Sequence, residues 1–336
     1  MFADDLVLVG SSKTALDQLM AKTRIFFQNH HLSISKTKTK IMTYEATSGK
    51  TLFQGSPNLP ELSLDQVISF KYLGVTLNSS PYSFLKNFND QVKQRAQNYL
   101  SRILNLVKTG PDRSSLAYAL WSQVALPSIL YGTEVLPLTQ KTISEVEKIQ
   151  NAVGKTILQL PRSSANVSVN LDAGLKPIFA HVAEKVLLYA RNTMSKPSTF
   201  WPKLAMTDNV LLGPKSTYTR YLMKWNQATN FPSSEPKLIK KSIKKLAMSH
   251  VLSQQRIFST STFAMNPPGS SASNQWFTPK PWVSDSGFSQ IFSQFRSCNA
   301  GLGNRGPAKN GQIYKLCPLC AKNGQKALNN EVKIMH

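Results

Sequence analysis

Apolar positions in this chain follow two rhythms: a short continuous run near the start and a three-and-four spacing through most of the remainder. Phe2-Ala3-Asp4-Asp5 leads into the run Leu6-Val7-Leu8-Val9 and then Gly10, which predicts a strand, a tight turn carrying both acids, and a return strand. Leu16, Leu19, Met20, Thr23, Phe26 and Phe27 predict a helix from residue 12 to about 30 with one buried face, capped by Ser11 or Ser12. His31 to Met42 predicts a short strand, a lysine-threonine alternation, and a second strand. Phe70 to Leu77 predicts a hairpin-like strand pair, with Gly74 where a backbone must approach closely.

Beyond residue 80 the helical spacing takes over. Phe84, Leu85, Phe88, Val92, Ala96, Tyr99, Leu100, Ile103, Leu104 and Val107 form one stripe, which predicts a long helix over 83–108. Lys86, Lys93, Arg95, Arg102 and Lys108 make its basic outer face. Gly110-Pro111-Asp112 ends it, and Asp112 or Ser114 starts the next helix, running through Leu116, Leu120, Trp121 and Val124 toward Pro127. Val146, Ile149, Gln150 and Val153 mark a third helix, and Ile178, Ala183, Val186, Leu187 and Tyr189 mark another within 166–194. From Lys196 the composition shifts to Ser, Thr, Pro and Lys, with one further amphipathic helix from Pro236 to about Gln255. Leu238, Ile239, Ile243, Leu246, Ala247 and Val251 line one side of it, and Lys240, Lys241, Lys244 and Lys245 surround the other. Residues 264–282 read as a flexible linker.

Charge narrows the class. The 336 residues carry 40 Lys and Arg against 17 Asp and Glu, a net charge of +23, and a polyanionic partner is the usual reason for such an excess. Residues 209–336 hold 17 of the basic residues and three acids, Glu235, Asp285 and Glu331. RNA and DNA suit this balance. No segment approaches the roughly 20 apolar residues of a bilayer span, so membrane partners and secretion are not expected, and an intracellular, nuclear or cytoplasmic, location is. Three readings of the basic helix stay open from its residues alone: phosphate contact, a membrane surface, or a solvated face. All three cysteines lie after residue 297, which implies a reducing compartment and no disulfide framework.

Two constellations carry chemistry. Adjacent carboxylates such as Asp4 and Asp5 need a neutralising cation, and their hard oxygens suit Mg²⁺, as in two-metal nucleotidyl transfer; an exposed Asp-Asp turn is the competing reading. Cys317 and Cys320 have the C-x₂-C spacing of half a zinc site, and two free cysteines near a chain end compete with that.

The order and spacing of FADD (2–5), the L-x-I-x-x-x-K-T-x-x-M stretch (32–42) and FKYLGV (70–75) resemble the last three palm motifs of non-LTR, LINE-type retrotransposon reverse transcriptases. The resemblance implies that Asp4 and Asp5 are the catalytic pair for two Mg²⁺ ions, Asp4 the ligand and Asp5 the supporting acid. It makes Lys38 the general acid toward the leaving pyrophosphate. It makes Phe70, Lys71, Tyr72, Leu73 and Gly74 the primer grip. Ser35 departs from the pattern, standing where the family usually has asparagine. YGTEVL (131–136) and VEKIQNAVGKTILQLPR (146–162) look like the family's thumb and post-thumb helices, which clamp a template-primer duplex through its phosphates and shape. Lys93, Arg95, Arg102, Lys240, Lys241, Lys244 and Lys245 are then the nucleic-acid contacts.

The C-terminal stretch resembles the Cys/His motif of the same proteins, with Lys333 at the usual histidine position and His336 as substitute third ligand for Zn²⁺ beside Cys317 and Cys320. A fourth ligand is missing unless Cys298 folds back. The expected fold is α+β: residues 1–80 the end of a right-hand polymerase palm with primer grip, 81–195 a helical thumb and post-thumb, 196–295 a basic connector with a linker, and 296–336 a truncated zinc knuckle in a partly disordered basic tail. The expected partners are an RNA template, a DNA primer and dNTP. The chain is expected to be the C-terminal part of a longer polyprotein, copying RNA into DNA in that context and inactive alone for want of upstream fingers and a further aspartate. A catalytically dead nucleic-acid binder is the alternative.

Overall fold

The computed structural model describes residues 5–35, 37–43, 64–107, 113–160, 162, 166, 169–170, 173–226 and 235–257. Helices dominate them, with four short strands. Two compact units divide at Asp90 and Gln91, inside one continuous helix. None of the described helices is long and apolar enough to cross a membrane.

The first unit opens with helix α1, Lys13–Asn29, capped by Ser12, whose hydroxyl accepts from the Ala15 amide at 3.0 Å. Its end is closed by two backbone bonds, Leu32 N–H to Phe27 O at 2.8 Å and His31 N–H to Gln28 O at 3.2 Å, with His31 in left-handed backbone (φ 54°) where glycine is usual. The expected buried face is only partly realised. Met20 is the one buried residue of the helix, and Phe26 is exposed beside His30.

Strand β1 (Lys40–Ile41) pairs in parallel with β2 (Asp65–Gln66). β3 (Ser69–Tyr72) and β4 (Val75–Asn78) form the expected antiparallel hairpin, closed at Tyr72 and Val75 by the two-residue turn Leu73-Gly74. Both turn residues have positive φ, 46° and 80°, as a two-residue turn matched to strand twist requires. Gly74 takes this conformation without strain, whereas Leu73 is forced into it. Two expectations fail here. Leu6 to Val9 form no strand, with Val9 81% exposed, and the strand pair expected across 31–42 is reduced to β1, because the described residues supply no neighbouring strand for either.

Helix α2, Pro81–Val107, runs from the first unit into the second, starting on a proline whose fixed φ suits the first helical position. Val92, Ala96, Ile103 and Val107 are buried as the stripe foretold, but Leu104, counted in that stripe, is exposed. The second unit continues with α3 (Arg113–Ala119), a π-helical segment (Leu120–Ala125) and α4 (Leu126–Ile129). The helix therefore passes through Pro127 instead of stopping before it. Proline lacks an N–H and clashes with the carbonyl four residues earlier, and the i-to-i−5 bond from Leu126 N–H to Trp121 O relieves that conflict.

Helix α5 (Gln140–Ile157), capped by Thr139, buries Ile143, Val146, Gln150, Val153 and Ile157 at three- and four-residue spacing. Helix α6, Ile178–Met194, is central to this unit. It is buried on several sides and packs against α5, α7 (Trp201–Leu211), α8 (Thr217–Asn226) and α9 (Pro236–Ile257). α7 and α8 occupy a stretch that composition alone marked as connector; Tyr221, Leu222 and Trp225 anchor α8 in the core. In α9, Ile239, Ile243, Ala247 and Val251 are buried, a strict four-residue strip, and Leu238 is exposed at 52%.

Candidate catalytic turn and nucleic-acid interface

Asp5 is an exposed residue in an isolated β-bridge. Its partner in the candidate pair, Asp4, lies outside the described residues, as do Cys298, Cys317, Cys320, Lys333 and His336 of the candidate zinc knuckle. Among the described residues no group of three or more His, Cys, Asp or Glu side chains is placed to hold a metal ion. The exposed carboxylate of Asp5 offers oxygen ligands of the kind that suit a hard cation. Lys38 is exposed in the turn at 37–38, whose backbone is tied by Thr39 N–H and Thr39 Oγ1 to the Ser35 carbonyl at 3.0 and 2.7 Å. Just after it, Lys40 pairs with Asp65 and so links β1 to β2.

In the candidate primer grip, Lys71 is exposed on β3 while Phe70 and Tyr72 are half-buried, and Leu73-Gly74 forms the turn itself. The two-residue turn fixes the register of this hairpin.

The candidate phosphate contacts fall on two helices of the second unit. On α2, Arg102 is exposed and lies over the Tyr99 ring at 5.9 Å, while Lys93 and Arg95 are half-buried. On α9, Lys240, Lys241 and Lys245 are exposed and Lys244 is half-buried. Lys240 Nζ lies 3.9 Å from Glu184 Oε1.

A polar cluster that the sequence reading did not single out joins α5 to the start of α6. Glu147 accepts from the Ile178 amide at 2.7 Å, and burial pushes its carboxyl up to about 7 against that hydrogen bond and one from Gln150. The fully buried Gln150 side chain accepts from Trp121 Nε1 at 3.1 Å and donates to the Lys176 carbonyl at 3.0 Å. Asn170 donates to Asn151 Oδ1 at 2.6 Å in the same cluster. Above it opens a cavity of about 330 Å³, lined among others by Tyr118, Trp121, Ser122, His181, Lys240 and Lys244. Burial and the Lys176 charge hold His181 down at about 3, so its imidazole is neutral. Lys176 and Glu184 form an ion pair on the lining. Trp121 and Gln150 at helical core spacing were the only signal for this site in the sequence, and that spacing equally describes plain packing.

Residues 1–77 match the family model for reverse transcriptase (RNA-dependent DNA polymerase). The chain is similar to a retrovirus-related Pol polyprotein from type-1 retrotransposable element R2 of Popillia japonica, 26% identical over 168 residues, covering 49% of this chain and 22% of that relative. A second such polyprotein from the same organism is 22% identical over 178 residues, covering 50% of this chain and 34% of the relative. The chain thus spans about a third or less of the curated relatives it matches. No solved structure matches it. The first 77 residues are thus similar to reverse transcriptases, and about half of the chain is similar to the Pol polyproteins of R2 retrotransposable elements.

Proposed function

We propose that this chain is the part of an RNA-directed DNA polymerase that holds a primer end at its catalytic turn and grips the template-primer duplex with its helices. The observation that carries the reading is the reverse transcriptase match over residues 1–77, a span that includes both the Asp4-Asp5 pair and the Leu73-Gly74 hairpin. In it, residues 1–80 are the end of the palm, 81–195 the thumb and post-thumb, 196–295 a basic connector and 296–336 a zinc knuckle built on Cys317, Cys320 and His336. Asp4 and Asp5 hold Mg²⁺, which when bound stabilises the attacking and leaving oxygens of the displacement. Lys38 gives its proton to the leaving pyrophosphate. The hairpin from Phe70 to Gly74 fixes the primer 3′ end, a task suited to a hairpin of fixed register because misplacement by about 1 Å costs rate heavily. Lys93, Arg95, Arg102, Lys240, Lys241, Lys244 and Lys245 contact phosphates without reading sequence. RNA template, DNA primer and dNTP are the partners.

The test is binding of an RNA·DNA duplex across a salt series. A chain that neutralises several phosphates loses about 10³-fold or more in affinity between 50 and 200 mM salt, with little dependence on sequence. A flat salt response overturns the reading. The catalytic part is tested with Mn²⁺ as a paramagnetic stand-in for Mg²⁺: broadening of resonances around Asp5, abolished by Asp5→Ala with duplex binding intact, supports it. The net charge of +23 favours a second reading, a nucleic-acid binder without catalysis, for which Asp5→Ala changes neither metal broadening nor binding.

A further inference from the structure

Helix α7 holds the protein with Met206 and Asn209 and turns a mainly apolar side to solvent. Thr219 Oγ1 donates to the Asn209 carbonyl at 2.6 Å and Ser216 Oγ donates to Asn209 Oδ1 at 2.7 Å, so the start of α8 fixes the rotation of α7. Met206 is the one buried residue of the helix. On the other side Trp201, Leu204, Asp208 and Leu211 recur at three- and four-residue spacing, all exposed, Trp201 at 81% and Leu211 at 80%. Single exposed apolar residues are ordinary, whereas a strip of them along one face marks a surface that a partner covers.

The charge on this face selects the partner. Lys203 reaches back to the Lys196 carbonyl at 2.7 Å, and the charge within the strip itself is the Asp208 carboxylate. A carboxylate there repels phosphates, so the face suits an apolar element that carries a cation. α7 has 11 residues, a length of about 16 Å, and its strip falls short of the roughly 800 Å² per partner that a stable dimer buries. A segment of the same chain needs less area, because its tether holds it at about millimolar concentration. Residues 258–336, outside the described ones, hold a segment of this chemistry. Phe288, Ile291, Phe292 and Phe295 recur at three- and four-residue spacing, with no charge between Asp285 and Arg296. That pattern predicts a short amphipathic helix with an acid before its start and a cation at its end. A helix so short is marginal alone and is stabilised by covering its apolar face. Reach is sufficient: α7 and α9 both pack on α6, α9 ends at Ile257, and a random coil as long as 258–287 averages about 30 Å end to end, against about 25 Å for the whole of α6.

We propose that the segment 288–295 of this chain docks on the exposed face of α7, its apolar stripe against Trp201, Leu204 and Leu211 and Arg296 beside Asp208. The contact folds the chain back on its second unit and holds Cys298, two residues beyond Arg296, next to α7. It stands or falls apart from the polymerase reading.

The experiment uses the full chain with Cys317→Ser and Cys320→Ser, so that a nitroxide spin label attaches to Cys298 alone. Methyl NMR of Leu204, Val210 and Leu211 reads the paramagnetic broadening, and circular dichroism with thermal melting establishes that each variant is folded. The expected result is strong broadening of these methyls that is lost in Phe292→Ser, reduced in Asp208→Arg, and restored when Asp208→Arg is combined with Arg296→Asp. The charge exchange keeps the test independent of any general effect of removing an apolar side chain. Broadening that survives both Phe292→Ser and Asp208→Arg overturns docking through these residues, as does absence of broadening in a folded chain. Broadening of label-free chains mixed with labelled ones assigns the face to a second copy and overturns the proposal. Shifts of Leu204 and Leu211 on adding a single-stranded hexanucleotide, without broadening from Cys298, assign the face to nucleic acid and overturn it as well.

Discussion

Replacing Glu147 by glutamine removes one titration from the core of the second unit and can keep the hydrogen bond from the Ile178 amide, at the expense of the longer bond from Gln150. Glu147 Oε2 accepts from the Ile178 amide at 2.7 Å, at the first turn of α6, and a glutamine carbonyl can accept the same bond. Burial raises the carboxyl from an ordinary 4.5 to about 7, so the folded state binds a proton that the unfolded chain has released over that interval. A raised pKa means the contribution to stability is complete below 4.5 and is lost as pH climbs through 7. A shift of this size, at about 1.4 kcal/mol per unit, corresponds to roughly 3 kcal/mol between the two limits. His181 acts in the opposite sense. Its pKa is depressed from 6.5 to about 3, so its contribution is present above 6.5 and lost as pH falls below it. The difference between wild type and Glu147→Gln cancels the histidine and isolates the carboxyl. Urea unfolding followed by tryptophan fluorescence from pH 4 to 9 is the assay. The stability of wild type relative to Glu147→Gln should fall by about 2–3 kcal/mol across the window from 4.5 to about 7. A pH-independent difference would refute the claim that burial outweighs the Ile178 hydrogen bond.

Three further outcomes are expected, two from the structure and one from the sequence. Gly154→Ala places a Cβ 2.7 Å from Val169 Cγ1 and 3.3 Å from Leu175 Cδ1, which should lower the melting temperature of the second unit by an amount equivalent to about 1–3 kcal/mol; an unchanged melt would show that Val169 moves aside without cost. Leu73→Gly relieves the positive φ of 46° in the hairpin turn and should slow amide exchange across Ser69–Asn78, with a gain of about 1 kcal/mol; faster exchange would mean that the half-buried leucine side chain contributes more than its backbone strain costs. Zinc at Cys317, Cys320 and His336 should be weakly held, because Lys333 replaces a ligand, so a mild chelator removes it completely in metal analysis; one chelator-resistant zinc per chain would contradict this.

Periodicity alone located α2, α5, α6 and α9, since each buries a face whose residues recur every three or four positions: Ile143, Val146, Gln150, Val153 and Ile157 in α5 are the plainest case. The β3–β4 hairpin was legible for a similar reason, with a glycine at the position where two-residue turns need left-handed backbone. The likeness to reverse transcriptases over residues 1–77 was legible because FADD, the stretch at 32–42 and FKYLGV keep their order and spacing, which are properties of sequence and need no coordinates. Other features depended on contacts between distant segments. Phe26 and Leu238 are spaced like core residues and are exposed, because burial requires a neighbouring element as well as an apolar stripe. α7 and α8 were hidden because the stretch from Lys196 was read as connector from its Ser, Thr, Pro and Lys, although in α8 Tyr221, Leu222 and Trp225 turn inward once α6 is there to receive them. The raised Glu147 carboxyl depends on a hydrogen-bond partner 31 residues away and on burial that no local pattern encodes. The cavity is the strongest example, since its lining runs from Tyr118 to Lys244 and exists only where four helices meet. Local spacing determines which residues can form helices and strands, and tertiary packing decides which of their faces are covered, which charges are desolvated, and where an opening remains.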